Sequence, residues 1–121
     1  MSKILIVDDD TQTTALLESL VKINGHNPTS VNLSRHAIQV ANSVIPDLIL
    51  LDIMMEGING IELCKLIKAD TILKDTPVIM VSALDDIGSK RDSFNAGAVE
   101  FVTKPVRPSE FADLLKEVLG N

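Results

Sequence analysis

The 121-residue sequence has one cysteine, no tryptophan, no tyrosine and only three phenylalanines. With Cys64 alone, the chain cannot form an internal disulfide or a cysteine-rich metal site, which suits a reducing cytoplasm. So few aromatic side chains leave little material for a flavin site or a single-stranded nucleic acid site built on stacked rings. No apolar run reaches the length of a membrane span, so we expect no membrane association.

Positive charge is also scarce. The chain has 11 Lys and Arg residues against 17 Asp and Glu residues, a formal net charge of −6 at pH 7. Because Lys and Arg supply most of the affinity for phosphate backbones, we expect no direct nucleic acid binding. The 45% hydrophobic and 23% charged content is that of an ordinary globular protein, and we expect one domain over residues 1–121.

Short apolar runs alternate with longer amphipathic segments along the chain. The runs that predict strands are 4–7, 48–51, 78–81 and 99–102, with a weaker candidate at 29–31. Three of them are wholly apolar, as is typical of parallel strands covered on both faces. We therefore predict an α/β fold with a single-domain, doubly wound, five-stranded parallel sheet, (βα)5, in the flavodoxin-like order 2-1-3-4-5.

The segments between these strands predict five helices. The fourth, over 86–95, has the weakest pattern because it contains Gly88 and several polar residues. The other four have an apolar face. The apolar positions that we expect to face the core are Leu16, Leu17, Leu20, Val21, Ile23, Leu33, Ala37, Val40, Ala41, Val44, Ile61, Cys64, Ile67, Phe111, Leu114, Leu115 and Val118.

Polar side chains follow the predicted strands at one end. They are Asp8 and Asp9 after the first strand, Asp52 after the third, Ser82 after the fourth and Lys104 past the fifth. In a doubly wound sheet, ligands bind beyond the carboxyl ends of the strands where the strand order reverses, here between the first and third strands. Three adjacent carboxylates repel one another unless a hard cation such as Mg²⁺ joins them. With a lysine and a hydroxyl, the set suits phosphoryl transfer.

The sequence matches the pattern of one family in residues 4–10, residues 46–55 with Gly60, residues 81–83 and residues 97–105. Through these stretches it resembles the response-regulator receiver family of two-component systems, including the chemotaxis regulators, over essentially its whole length. The resemblance implies that Asp52 accepts a phosphoryl group from a sensor histidine kinase or a phosphotransfer protein. It also implies Mg²⁺ as cofactor, with Asp9 as a direct ligand, Asp8 supporting through water, and Asp52 and the Met54 backbone carbonyl completing the set.

The same resemblance implies a switch. Lys104 would pair with the phosphoryl oxygens, Ser82 would hydrogen-bond the phosphoryl group, and Phe101 would turn inward as Ser82 moves. The face made by the fourth helix, fifth strand and fifth helix would then control an output partner that the sequence does not identify. A homodimer that forms on phosphorylation is left open. The chain would be a signalling domain, not an enzyme, and would catalyse only its own phosphorylation and slow dephosphorylation.

The sequence departs from the family pattern at two positions. Glu56 stands where the family usually has proline, and Phe101 stands where tyrosine is common. Glu56 and the following Gly57 exchange a rigid turn for a flexible one and add a carboxylate near the pocket mouth.

Met54 and Leu84 occupy positions that flank the approach of water to the phosphoryl group in this family. Because both side chains are apolar here, we predict slow loss of the phosphoryl group.

Three other classes of protein fit the sequence less well than a receiver does. A Mg²⁺-dependent aspartyl phosphatase usually has a second aspartate two residues after the nucleophile, where this chain has Met54. A receiver-like module that works without phosphorylation is supported only by Glu56 and Phe101. A flavodoxin-type carrier needs a phosphate-binding loop and aromatic side chains, which this sequence lacks.

We interpret Asp10 as a helix cap, and His26 and His36 as surface or structural residues.

Overall fold

Five parallel strands form the centre of the molecule. The computed structural model describes residues 1–120. The strands are β1 Lys3–Val7, β2 Asn27–Val31, β3 Leu48–Leu51, β4 Val78–Ser82 and β5 Glu100–Thr103. They pair in the order β2-β1-β3-β4-β5, and every pairing is parallel. The predicted fold class and strand order are therefore confirmed.

Helices connect successive strands. They are α1 Thr11–Ile23, α2 Ala37–Val44 after a short 3₁₀ turn at Ser34–His36, α3 Gly60–Ala69, α4 Ile87–Asn95 and α5 Pro108–Leu119. The side chains of Asp10, Asn59 and Asp86 cap α1, α3 and α4 by accepting hydrogen bonds from first-turn backbone amides. None of the helices within residues 1–120 combines the length and apolar character that a membrane crossing requires.

The sheet is buried on both faces by two hydrophobic clusters. Alternate residues of β1 contribute to each cluster: Leu5 and Val7 face one, Ile4 and Ile6 the other. Helices α2 and α3 cover the first cluster, and α1 and α5 cover the second. Each fully buried side chain of this size contributes about 1.5–3 kcal/mol by leaving water. This two-sided burial is why the central strands are apolar at consecutive positions.

Details of the predicted helix faces and strand ends differ from the structure. Leu16 and Ile23 are exposed by 47% and 79%, because the stripe of α1 that faces the sheet runs through Leu17, Leu20 and Val21. Leu33 is 48% exposed and precedes the 3₁₀ turn instead of joining a helix. Strand β4 continues through Ser82, and β5 begins at Glu100 and ends one residue later than predicted, at Thr103.

Candidate functional site

The ends of β1 and β3 bring three aspartates together. Val7 pairs with Leu51 in the register of these strands, so Asp8 and Asp52 are the next residues on neighbouring strands. The backbone N–H of Asp52 donates to the Val7 carbonyl at 3.0 Å, which fixes this end of β3. One carboxylate oxygen from each of Asp8, Asp9 and Asp52 lies within 4.8 Å of the others. Asp8 and Asp52 are buried, whereas Asp9 is exposed.

Lys104 enters this cluster from β5. Its backbone N–H donates to the Ser82 carbonyl at 2.8 Å, which holds the end of β5 beside β4. Its side-chain Nζ lies 2.9 Å from Asp8 Oδ2 and 3.6 Å from Asp52 Oδ1. One ammonium group therefore contacts both buried carboxylates.

Backbone amides hold the two buried carboxylates in place. Asp8 Oδ1 accepts a hydrogen bond of 2.9 Å from the Asp10 N–H, while Asp8 Oδ2 accepts from Lys104. Asp52 Oδ1 accepts from the Ile53 N–H at 2.9 Å. Within residues 1–120, Asp52 Oδ2 accepts no hydrogen bond, so this oxygen is available to a ligand.

The electrostatics of the pocket favour a bound cation. Burial, and then the charge of Asp8, raises the pKa of Asp52 to about 6, against the lowering effects of Lys104 and the Ile53 amide. Burial lowers the pKa of Lys104, but the hydrogen bond to Asp8 and the charges of Asp52 and Asp8 outweigh it and leave that pKa raised. Lys104 is therefore charged at neutral pH and balances only one of three carboxylates.

The donor set fits Mg²⁺. Carboxylate oxygens are hard ligands, and Mg²⁺ is usually held in proteins by one or two of them together with waters and substrate phosphate. Asp52 Oδ2 and the exposed Asp9 carboxylate offer such oxygens, while Asp8 is already engaged by Lys104. Met54 lies two residues beyond Asp52 in the β3–α3 loop, where its carbonyl as a ligand remains a prediction.

The two predicted switch residues lie on the strands beside the cluster. Ser82 is fully buried, and its Oγ accepts a hydrogen bond of 3.1 Å from the Leu84 N–H. Phe101 pairs in register with Met80 and is half-buried against the α2–α3 side of the core. Lys90 Nζ of α4 lies 5.8 Å from the centre of the Phe101 ring, within the range of a cation–π contact.

Several supporting residues were not identified from the sequence. Asn32 Nδ2 donates to the Asp8 carbonyl at 2.9 Å, and Ser34 Oγ donates to the Glu56 carbonyl at 3.0 Å. A Cβ at Gly60 would overlap the Asp52 carbonyl oxygen, so α3 begins directly against the Asp52 backbone. Gly60 belongs to a stretch that matches the family pattern, and that match is the signal from which its role could be predicted. Asn32 and Ser34 contact backbone groups far away in sequence and give no such signal.

Comparison with known proteins agrees with this architecture. The family described as "Response regulator receiver domain" matches residues 4–116. The chain therefore belongs to the response regulator receiver family.

The curated relatives are longer proteins. The phosphate regulon transcriptional regulatory protein PhoB of Pseudomonas aeruginosa is 35% identical over 116 residues, which cover 96% of this chain and 51% of PhoB. Response regulator PleD of Caulobacter vibrioides is 33% identical over 105 residues, which cover 87% of this chain and 23% of PleD. The chain thus spans from about a quarter to half of the length of these relatives.

Solved structures agree over nearly all of the chain. A response regulator from Chloroflexus aurantiacus superimposes with a TM-score of 0.93 at 31% identity, covering 99% of this chain and 98% of the other. The chemotaxis protein CheY4 of Vibrio cholerae gives a TM-score of 0.92 at 25% identity, covering 98% and 99% of the two chains. The expected membership of the receiver family is confirmed.

Proposed function

We propose that residues 1–121 form one receiver domain that accepts a phosphoryl group on Asp52 with Mg²⁺ as cofactor. The donor is a sensor histidine kinase or a phosphotransfer protein. One observation carries the proposal: Lys104 Nζ lies 2.9 Å from Asp8 and 3.6 Å from Asp52, within a cluster where carboxylate oxygens of Asp8, Asp9 and Asp52 approach within 4.8 Å. A phosphoryl group placed there meets a nucleophile and fixed positive charge together.

The reaction is an in-line displacement at phosphorus. One oxygen of the Asp52 carboxylate forms the new O–P bond, and the other oxygen remains available to the ion. The P–N bond to the donor imidazole breaks, and its electron pair leaves on the imidazole nitrogen. Lys104 is close enough to Asp52 to neutralise the phosphoryl oxygens, and Mg²⁺ supplies further positive charge to them. With its pKa at about 6, Asp52 is mostly ionised at neutral pH and is ready to attack.

The signal passes from the phosphoryl group to the α4–β5–α5 face. We propose that the Ser82 hydroxyl donates to a phosphoryl oxygen and draws the loop containing Leu84 inward. Phe101 then repacks, which changes the surface offered to an output partner. Two structural relatives, the receiver domain of DrrB and that of RstA from Klebsiella pneumoniae, are described as BeF₃-activated, which supports activation of this kind here. We also propose that the domain lies in the cytoplasm and does not contact nucleic acid directly. A homodimer that forms on phosphorylation is an outcome to test.

The test is intact mass after incubation with acetyl phosphate, with and without Mg²⁺. We expect one phosphoryl adduct in the wild type that requires Mg²⁺ and is lost in Asp52→Asn. Asp75→Asn is the matched control, because Asp75 is an exposed carboxylate in the turn before β4, at the opposite edge of the sheet. No adduct in folded wild-type protein, or an adduct that persists in Asp52→Asn, would overturn the proposal.

The lifetime of the phosphoryl group is predicted to be long. Met54 is 67% exposed and Leu84 is half-buried against the core, so neither offers a polar group to orient water. In Leu84→Glu a carboxylate replaces the apolar side chain, and we expect the rate of phosphoryl loss to rise severalfold. Leu84→Met is the control and keeps the slow rate. Equal rates in the wild type and Leu84→Glu would contradict this account.

A further inference from the structure

The β3–α3 loop contacts Asp9 through a backbone hydrogen bond. The Glu56 N–H donates to Asp9 Oδ2 at 3.0 Å, across 47 positions of sequence. Glu56 is exposed. Among residues 1–120, the hydrogen bond from Glu56 to the site comes from its backbone N–H, and its carboxylate makes no hydrogen bond.

Ser34 holds the same peptide segment from the other side. Ser34 is buried, and its Oγ donates to the Glu56 carbonyl at 3.0 Å and accepts from the Ile58 N–H at 3.0 Å. Gly57 lies between these contacts at φ 86°, and a Cβ there would come within 3.2 Å of Ser34 Oγ. The backbone around Glu56 is thus tied both to the 3₁₀ turn after β2 and to Asp9.

We propose that Glu56 is a positioning residue whose backbone N–H orients the Asp9 carboxylate for Mg²⁺. This inference rests on the proposed function. Because Asp9 is exposed, its side chain would otherwise sample several rotamers, and ordering it would oppose metal binding. The Glu56 N–H donates to Asp9 Oδ2, while Asp9 Oδ1 accepts no hydrogen bond within residues 1–120 and is left for the ion.

The residue type at position 56 decides whether this contact exists. Proline has no backbone N–H and cannot donate to Asp9. A chain with proline there fixes its loop by the ring, whereas this chain fixes the loop by the hydrogen bonds of Glu56 to Asp9 and Ser34. The departure from the family pattern is therefore an exchange of one constraint for another, with a new donor to the metal site.

Two substitutions at Glu56 separate the N–H from the side chain. Glu56→Ala keeps the N–H and removes the carboxylate, whereas Glu56→Pro removes the N–H. The dissociation constant for Mg²⁺ alone, measured by NMR titration, should change by less than about twofold in Glu56→Ala and rise roughly tenfold in Glu56→Pro. Equal affinities in the two variants would overturn the inference. So would tighter binding in Glu56→Pro, because the N–H would then compete with the ion.

Amide hydrogen exchange in metal-free protein tests the bond without using the metal. Asp9→Ala should speed exchange of the Glu56 amide severalfold and leave the Ile58 amide unchanged, because that amide donates to Ser34 Oγ. Ser34→Ala should speed exchange at Ile58. A Glu56 amide that exchanges equally fast in the wild type and Asp9→Ala would overturn the inference.

A chain without a Mg²⁺ site and a chain whose Mg²⁺ site does not depend on the Glu56 N–H give different results. If the folded wild-type chain does not bind Mg²⁺, the proposed function and this inference fall together. If the wild type binds Mg²⁺ and Glu56→Pro binds it as well as Glu56→Ala does, only the positioning role of Glu56 falls.

Discussion

At the scale of single residues, Asp52 sits in surroundings that oppose its own charge. Burial and the neighbouring Asp8 raise its pKa to about 6, and Lys104 offsets only part of this effect. The metal-free folded chain therefore holds an unfavourable charge at neutral pH. The divalent cation proposed for this pocket would relieve this imbalance, because it adds positive charge beside the carboxylates.

This imbalance predicts that Asp52→Asn stabilises the metal-free chain at neutral pH. Because the folded-state pKa is raised from 3.8 to about 6, the folded chain binds the proton more tightly, and stability falls as pH rises through this window. At about pH 7.5, with EDTA, we expect the free energy of unfolding of Asp52→Asn to exceed that of the wild type by roughly 1–3 kcal/mol. We expect this difference to shrink as the pH is lowered to about 4. Urea unfolding with Asp75→Asn as control measures this. A difference that does not depend on pH would argue against it.

The sequence identifies the charged residues of the site but not their backbone supports. Asp8, Asp52 and Lys104 could be placed together because parallel strands end at one edge of the sheet. The contact from Asn32 to the Asp8 carbonyl and that from the Glu56 N–H to Asp9 could not be foreseen. Both depend on where loops far apart in sequence come to rest, and no residue pattern encodes that directly.

At the scale of elements, β1, β3 and β4 were predictable because burial on both faces leaves consecutive apolar residues. Strand β2 lies at the edge of the sheet and tolerates Pro28, so its pattern is weaker. The apolar positions of α1 occupy more of its surface than one buried stripe. Only packing against the sheet buries Leu17 and leaves Leu16 exposed.

The backbone at the start of α3 leaves no room for a side chain at Gly60. A Cβ at Gly60 would overlap the Asp52 carbonyl oxygen and approach Ile53 Cα within 2.8 Å, and neither can move without shifting the phosphoacceptor. We expect Gly60→Ala to destabilise the chain by about 1–3 kcal/mol and to lower the yield of phosphoryl adduct.

Gly88 provides the matched control for this substitution. A Cβ at Gly88 in α4 would make an ordinary contact with Arg91 Nη2, at 3.8 Å, and would crowd only the end of the Asp86 side chain, at 3.3 Å. That side chain can shift slightly, and alanine favours the helix, so Gly88→Ala should leave stability unchanged or slightly raised. Urea unfolding compares the two variants. A Gly60→Ala chain as stable as Gly88→Ala would show that α3 can begin without this close approach.

At the scale of the whole molecule, the carboxyl edge of the sheet concentrates negative charge on a chain whose net charge is already −6. Asp8, Asp9 and Asp52 stand there against Lys104. A cation that binds the folded chain and not the unfolded chain stabilises the fold by linkage. The stabilisation is about 2.7 kcal/mol when the free cation concentration is about a hundred times the dissociation constant. We therefore predict that Tm is several degrees higher in Mg²⁺ than in EDTA. For a domain of about this size, each kcal/mol of stabilisation raises Tm by about 2–8 °C.

The controls for this prediction distinguish a specific Mg²⁺ site from general screening of the surface charges. NaCl at matched ionic strength should raise Tm much less than Mg²⁺ does, because screening acts on all exposed charges alike. Asp9→Ala should lose most of the Mg²⁺ effect, whereas Asp75→Asn removes an exposed carboxylate at the opposite edge and should keep it. If Mg²⁺ raises Tm equally in wild type and Asp9→Ala, the ion acts on the acidic surface as a whole. The three aspartates at the ends of β1 and β3 would then be a cluster without a metal site.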